Sequence, residues 1–418
     1  MGLISSHRSD LTRLILSTLL IGSISYLMFV VASRRLDSAI AADLLSSWAL
    51  INTVVLSLSI PLETMVPKML ASTCEHALAP RVYMHGLLAG SVGAVAAVVM
   101  LQVRGHGSFE IVVAQCIFSV SLGIFSGARA MLVGAGHFAR YLISALANFV
   151  VSAFLLLVCW LGGVTSAAWV FVAVAVGNVV SFLVGGAQSV DTPQRSRQRS
   201  LSEKSAFFAK LEYKMLGALS LATGCSLLMN NGSIAIARAR DIDPEFVVSM
   251  AAIISITQVP MTILNNVAPV VNRQLVGIAK EGRIDLVSRV YRMWFRRLVV
   301  ASLAIVVAVG FGRGLLVPVI AGSKYSISLF PALLASGGVA IDWLSVMPRL
   351  KGTLAGTHGR ITVAWASGVV VYVGVLAVPV DSRTTVLIAP VIGGLTVLLL
   401  SQKIVTGDFH LVRSVDVQ

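Results

Sequence analysis

The chain has 418 residues, 57% of them apolar and only 12% charged, with a mean hydropathy of +0.90. A water-soluble protein of this length carries charge on roughly a quarter of its residues, so the composition excludes a soluble enzyme and a disordered chain. The net charge is +14, and the four cysteines (Cys74, Cys116, Cys159, Cys225) are scattered without a CxxC pair, which excludes a disulfide scaffold and reads as reduced core residues.

The apolar runs are continuous rather than alternating, and about 20 apolar residues as helix cross a hydrocarbon layer about 30 Å thick. Twelve such spans are predicted. Six lie at 11–32, 41–66, 82–103, 110–133, 141–161 and 168–187, and six at 215–237, 246–271, 298–320, 329–347, 361–380 and 384–402. The first follows Arg8 and Arg13 and ends at Val30-Val31-Ala32, which loosely resembles a secretory cleavage site. Its apolar core exceeds the usual length of about 7 to 15 residues and a second span follows at once, so it is read as a retained helix.

Two segments between spans are basic. Residues 188–214 carry Arg195, Arg197, Arg199, Lys204, Lys210 and Lys214 with Pro193 and several serines, which predicts a flexible cytoplasmic linker. The expected domains are therefore an N-terminal six-helix bundle (1–187), this linker, and a C-terminal six-helix bundle (215–418). Residues 272–297 carry seven basic residues, with Leu286, Val290 and Trp294 at helical spacing. That pattern predicts an amphipathic helix on the anionic leaflet, with contact to an anionic substrate as the second reading.

With twelve spans and the N-terminus in the cytoplasm, 24 of the 32 Lys and Arg fall on the cytoplasmic side. The other eight (Arg34, Arg35, Arg104, Arg238, Arg240, Arg313, Lys324 and Arg383) fall outside. By the positive-inside rule this predicts a multi-pass protein of the cell (cytoplasmic or inner) membrane with both termini cytoplasmic. The basic charge then faces membrane lipids and requires no nucleic acid.

An internal repeat links the halves. Arg129, Ala135, Gly136 and Arg140 after the fourth span match Arg349, Ala355, Gly356 and Arg360 after the tenth at a constant offset of 220 residues. More loosely, Pro61, Pro67 and Lys68 at the end of the second span parallel Pro260, Pro269 and Arg273 at the end of the eighth. Since each half has an even number of spans, the repeat is parallel, and a cleft between two six-helix bundles is the expected pathway. The fold class expected is thus an all-α polytopic membrane protein with about twelve helices.

Ionisable and amide groups inside spans are the candidate functional residues. A charge near the bilayer centre costs about 2.5 to 3.5 kcal/mol on insertion scales. Asp342 lies deep in the tenth span and Glu63 near the end of the second. Both are candidates for ion coupling, against the simpler reading of pairing with a neighbouring helix. Arg129 and Arg349 stand at equivalent inner helix ends, where a guanidinium suits a diphosphate and equally anchors a helix. The amides Asn148, Asn178, Asn230, Asn231, Gln258, Asn265 and Asn266 are candidates for sugar hydroxyls or for interhelical hydrogen bonds. Gly86 with Gly90, Gly123 with Gly127 and Gly352 with Gly356 read as small-residue packing patterns.

The order of several motifs resembles the lipid-linked oligosaccharide flippases and polysaccharide exporters of the multidrug/oligosaccharidyl-lipid/polysaccharide (MOP) superfamily, whose fold is related to that of MATE transporters. These are the Arg34-Arg35-Leu36-Asp37 turn, the helix end Ile60-Pro61-Leu62-Glu63-Thr64-Met65-Val66-Pro67, then Gly322-Ser323-Lys324-Tyr325, and Leu354-Ala355-Gly356-Thr357-His358-Gly359-Arg360. The chain departs from that family at Asp243-Pro244-Glu245-Phe246, where relatives often carry Gly-x-Tyr, and at Asn230-Asn231, where an acidic residue is frequent.

The resemblance implies a transporter that turns a polyprenyl-diphosphate-linked saccharide from the inner to the outer leaflet by alternating access, with polysaccharide-assembly proteins as partners. No GxxxxGK[ST] occurs, so no cofactor or ATP is expected. A MATE-like antiporter exporting small molecules is the alternative. A membrane enzyme such as a polymerase would need a large outer loop, and the predicted outer loops are short.

Overall fold

The computed structural model describes residues 2–70, 75–104, 108–186, 204–259, 284–354 and 358–407. Twelve helices follow in chain order, with no strand among the described residues. They are α1 (Gly2–Arg35), α2 (Ser38–Met69), α3 (Glu75–Arg104), α4 (Phe109–Gly134), α5 (Phe138–Leu161) and α6 (Ala167–Ser181), the last extended by a π turn at Phe182–Gly186. Then come α7 (Lys204–Ala239), α8 (Pro244–Val259), α9 (Ile284–Ala321), α10 (Leu329–Leu354), α11 (His358–Leu376) and α12 (Ser382–Gly407).

Among the described residues nine helical stretches are long and apolar enough to cross a membrane, and Pro244–Val259 and Leu329–Ser345 are shorter apolar helices. Phe154, Phe311, Leu315, Val370 and Leu399 stand more than half exposed on the outside, while Ser46, Ser119, Ser144, Asn148 and Asn230 are buried. That distribution belongs to lipid rather than water, and the chain is a multi-pass membrane protein.

Three boundaries differ from expectation. Helix α7 begins at Lys204, so the last part of the segment expected as a linker is helical. Residues 204–216 contain no Gly or Pro and are rich in Ala, Leu, Lys and Glu, all good helix formers. Helix α9 begins at Ile284 and runs unbroken into the ninth span, so residues 284–297 of the amphipathic stretch and the span are one helix, while residues 272–283 lie outside the described residues. Helix α11 stops at Leu376, four residues short of the predicted 380, because Pro379 disfavours helical geometry at the residue before it.

The helices form two compact units, Met1–Gly224 and Cys225–Gln418, with the division inside α7. In the first, α3 packs on α4, α4 on α6, α5 on α6 and α1 on α5, and α2 lies against α3 and α4. In the second, α9 packs on α10, α10 on α12 and α11 on α12. Ser233 of α7 is 3.3 Å from the hydroxyl of Tyr372 on α11, which supplies the counterpart of α1 on α5. Four pairings of the first unit thus recur six helices later: α3 with α4, α4 with α6, α5 with α6 and α1 with α5.

The tightest pairing is α3 with α4. A Cβ on Gly123 would sit 2.2 Å from the Gly86 carbonyl oxygen and 2.8 Å from the Gly90 Cα, so only glycine lets the backbones meet this closely. The Ser119 hydroxyl donates to the Gly90 carbonyl at 2.7 Å across the same contact. The Gly86/Gly90 and Gly123/Gly127 patterns are therefore one interface, each filling the other's gap.

Helix ends follow from local chemistry. Gly136, at φ +81°, closes α4: the His137 amide donates to the Leu132 carbonyl and the Gly136 amide to that of Val133. Asp243 accepts from the Phe246 amide at 3.0 Å with Pro244 in the first helical position, so Asp243-Pro244-Glu245-Phe246 is the start signal of α8. Asp381 starts α12 in the same way, accepting from the Thr384 hydroxyl (2.8 Å) and amide (3.0 Å). Those bonds from Thr384 hold the Asp381 carboxyl below the usual carboxylate range.

Two predictions follow from this geometry. Gly123→Ala is expected to lower stability in detergent by about 1 to 3 kcal/mol, because backbone atoms must move apart. Gly217→Ala on α7, which meets nothing within 4 Å, is expected to raise stability by up to about 1 kcal/mol; thermal unfolding of the two variants tests the contrast. At Asp381 the folded pKa lies below the unfolded one, so the cap is at full strength above the ordinary carboxylate range and is lost as pH falls through the depressed value. Hydrogen exchange in the first turn of α12 should accelerate, relative to the intrinsic rate, over that fall, and Asp381→Asn should abolish the dependence.

Candidate functional site

The first unit encloses an ion pair. Glu63 is the last residue of the apolar stretch of α2, and Arg129 stands five residues before the end of α4. Arg129 Nε lies 2.8 Å from Glu63 Oε1, and its Nη2 donates to Oε2 at 3.4 Å, a side-on two-point contact. The guanidinium also lies over the ring of Tyr141 on α5, 5.8 Å from its centroid. The two charged side chains are 18% and 15% exposed, among the apolar residues Leu62, Met65, Val66, Ala130 and Met131. Three helices are thus joined at one charged point.

Deeper in the same unit, hydroxyls and amides join α4, α5 and α6. Asn148 donates to Asn178 Oδ1 at 3.0 Å, Ser152 donates to Asn148 Oδ1 at 3.0 Å, and Asn178 donates to the Ser121 hydroxyl at 3.3 Å. The Ser144 and Ser181 hydroxyls are 2.7 Å apart, and each is within hydrogen-bond distance of the other's carbonyl oxygen, at 2.9 and 2.8 Å, so their two protons are shared among three contacts. Gly177 makes room, since a Cβ there would fall 1.9 Å from Ser152 Oγ. Asn148 and Asn178 therefore meet each other, as interhelical bonds of about 1 kcal/mol each do.

The second unit has a buried carboxylate. Asp342, 4% exposed on α10, accepts from the Ser226 hydroxyl and the Asn230 amide of α7, both at 2.8 Å. Ser226 and Asn230 are one helical turn apart and share a face of α7. The adjacent Asn231 points elsewhere and accepts from Gln258 Nε2 of α8 at 2.7 Å. One turn beyond Asn230, Ser233 meets Tyr372. A small cavity lined by Met229, Asn230, Ser233, Val339 and Pro390 adjoins this cluster.

At the far end of α7, Arg240 donates to the carbonyl of Leu376, the last residue of α11, and to Thr385 of α12 at 3.2 Å. Its counterpart in the first unit is Arg35 at the end of α1, whose guanidinium lies 4.5 Å over the ring of Trp160 near the end of α5. Both residues tie the end of a unit's first helix to the end of its fifth.

Of the residues singled out from sequence, the structure brings together Glu63 with Arg129, Asn148 with Asn178, Asn230 with Asp342, and Asn231 with Gln258. Arg349 lies on α10, but its side chain, like Asn265, Asn266 and the prolines Pro260 and Pro269, is outside the described residues. Tyr141, Ser121, Ser226, Tyr372 and Arg240 were not anticipated. A signal existed for some of them: Ser144, Asn148 and Ser152 on α5, and Ser226, Asn230 and Ser233 on α7, are polar stripes at helical spacing in apolar spans.

No family model matches the sequence, and no curated protein does. Solved structures match over nearly the whole chain. A multidrug resistance MATE family transporter of the MOP superfamily, in an outward-facing conformation, is 12% identical with a TM-score of 0.64, over 97% of this chain and 96% of that one. A MOP superfamily transporter from Pyrococcus furiosus, described as having a binding pocket of reversed polarity, is 13% identical with a TM-score of 0.63, over 95% and 96%. A eukaryotic MATE transporter is 11% identical with a TM-score of 0.63, over 96% and 95%. The fold is that of the MATE transporters. At these identities the likeness concerns the path of the chain, and the polar clusters above are read from this protein's own side chains.

Removing one member of a buried ion pair strands the other, whereas removing both leaves only lost packing. Glu63→Gln and Arg129→Gln are each expected to lower stability by about 3 kcal/mol, and the double variant to recover most of that loss. Thermal unfolding of the four proteins in detergent measures the coupling, and additive single losses would show the two side chains to be independent.

Proposed function

We propose that this protein is a membrane transporter working by alternating access, and that its cargo is a polyprenyl-diphosphate-linked saccharide carried from the inner to the outer leaflet of the cytoplasmic membrane. The observation that carries the transport reading is the MATE fold over nearly the full chain. The cargo reading rests on the order of motifs shared with saccharide-lipid flippases and on the basic residues that flank the spans on one side. A lipid-linked sugar needs no covalent chemistry to cross: the polyprenyl tail stays in hydrocarbon while the protein shelters the sugar and diphosphate. In this reading the termini are cytoplasmic, and the partners are membrane lipids and proteins of polysaccharide assembly.

The polar clusters take roles within that scheme. Asp342, held by a hydroxyl and an amide, is the group placed to take up and release a proton or cation as the protein changes state. Glu63 and Arg129 hold α2 and α4 together, and an arriving diphosphate competes with Glu63 for the same guanidinium. A second reading, a small-molecule antiporter, is favoured by two features: Arg129 is already engaged by a carboxylate, and Asp342 is an acid buried in a span.

Reconstituted liposomes separate the two. With a fluorescent polyprenyl-diphosphate sugar in both leaflets, an impermeant quencher is expected to bleach the whole pool when the protein is present and only the outer pool when it is absent. Bleaching confined to the outer pool in both cases, together with proton-driven uptake of an organic cation, would establish the antiporter instead. Asp342→Asn is expected to slow transport about tenfold or more, equivalent to about 1.4 kcal/mol in the limiting step, with insertion unchanged.

A further inference from the structure

Helix α9 carries a surface that the transport reading does not use. Arg289, Arg292, Arg296 and Arg297 are all exposed in its first part, and all four are arginine rather than lysine. At about 3.6 residues per turn, Arg289, Arg292 and Arg296 fall within a sector of about 80° that also contains Val300, Leu303 and Val307. Those three apolar side chains are 69%, 64% and 45% exposed. The opposite side of the helix is the packed one: Tyr291, Ser302 and Val309 are buried.

The rotation of the helix is fixed by that packed side. The Tyr291 hydroxyl donates to Gln402 Oε1 of α12 at 3.1 Å, and the Tyr291 and Phe295 rings are nearly parallel at 6.1 Å. The arginines therefore sit directly in line with the lipid-facing surface. The rise from Arg296 to Val307 is about 17 Å at 1.5 Å per residue. One leaflet of hydrocarbon is about 15 Å deep, half of the 30 Å core. Trp294, 37% exposed with Arg297 over its ring at 5.8 Å, stands where interfacial tryptophans collect.

We propose that this face of α9 binds an anionic phospholipid of the bilayer, with the phosphate in the fork of the arginines and the acyl chains along Val300, Leu303 and Val307. Three features select this occupant. Guanidinium donors match phosphate oxygens in pairs. The apolar continuation has the length of an acyl chain and faces outward from the packed helices, where a soluble anion gains nothing. The charged and apolar parts meet at one level, as a headgroup and its chains do. The site is independent of the cargo, and it would stand if the transported molecule were a small cation.

A tryptophan placed on the face itself provides the readout, since Trp294 falls about 160° round the helix from its centre. Leu303→Trp protein in mixed micelles or nanodiscs is titrated with phosphatidylglycerol or phosphatidylcholine carrying brominated chains, and the signal of the new tryptophan is taken as the difference from the parent protein. Brominated phosphatidylglycerol is expected to quench at a much lower mole fraction than phosphatidylcholine. Each of Arg289→Gln, Arg292→Gln and Arg296→Gln is expected to narrow the gap by about fivefold, the effect of one basic residue near an anionic surface. Raising the salt concentration with the same tryptophan protein should narrow it too, a test that leaves every arginine in place. Equal quenching by the two lipids, or a preference unmoved by salt and by the substitutions, would overturn the assignment. So would displacement of the brominated phospholipid by an equimolar polyprenyl diphosphate, which would give the face to the lipid carrier instead.

Discussion

Hydrocarbon offers no hydrogen bonds, so every polar group placed inside the membrane must find its partner within the protein. This constraint arranges the molecule. Serines on the spans donate to carbonyls one turn back, as Ser17, Ser33, Ser46 and Ser336 do. The larger polar side chains pair across helices: Asn148 with Asn178, Asn230 with Asp342, Gln258 with Asn231, Arg129 with Glu63. Each pairing is also a statement about which helices are neighbours. The contacts that keep polar atoms out of lipid are the same ones that fix α4 against α2 and α6, and α7 against α8 and α10.

Close approach of backbones is the complementary device. Between α3 and α4 there is little polar side-chain chemistry beyond Ser119, and the interface is made by removing side chains altogether at Gly86, Gly90, Gly123 and Gly127. Without a hydrophobic drive between helices in lipid, dispersion across such tight surfaces takes its place. The glycine interface suits two helices that stay together, whereas a charged contact such as Glu63 with Arg129 can exchange partners.

The spans were legible in the sequence because about 20 apolar residues in a row have one physical reading. The repeat was legible because Arg129, Gly136 and Arg140 recur at a constant offset, and the recurring helix pairings of the two units agree with it. The partners were not. Glu63 and Arg129 are 66 residues apart; that Glu63 pairs with a neighbouring helix is readable from its place near the end of a span, but nothing in a linear pattern says that α2 and α4 bring these two to one level. Likewise Asp243-Pro244-Glu245-Phe246 stood out only as a departure from relatives, although Asp followed by Pro is a helix start in its own right. The junction at α9 is hidden for another reason: arginines at helical spacing suggest a separate surface helix, and only the unbroken backbone from Ile284 shows that their face continues as the lipid face of a span.

Duplication explains why the scaffold is regular and the fillings are not. Four helix pairings recur in the two units, and Arg35 and Arg240 do equivalent work at equivalent helix ends. Yet α4 contributes a cation joined to Glu63, while its counterpart α10 contributes an anion joined to Ser226 and Asn230. A copied framework requires only that each polar group be satisfied, not that it be satisfied by the same chemistry, so the sign of the buried charge is free to diverge while the helix contacts stay fixed. The Ser226 hydroxyl and the Asn230 amide are uncharged donors that reach Asp342 from one face of α7, whereas Glu63 is met by a guanidinium.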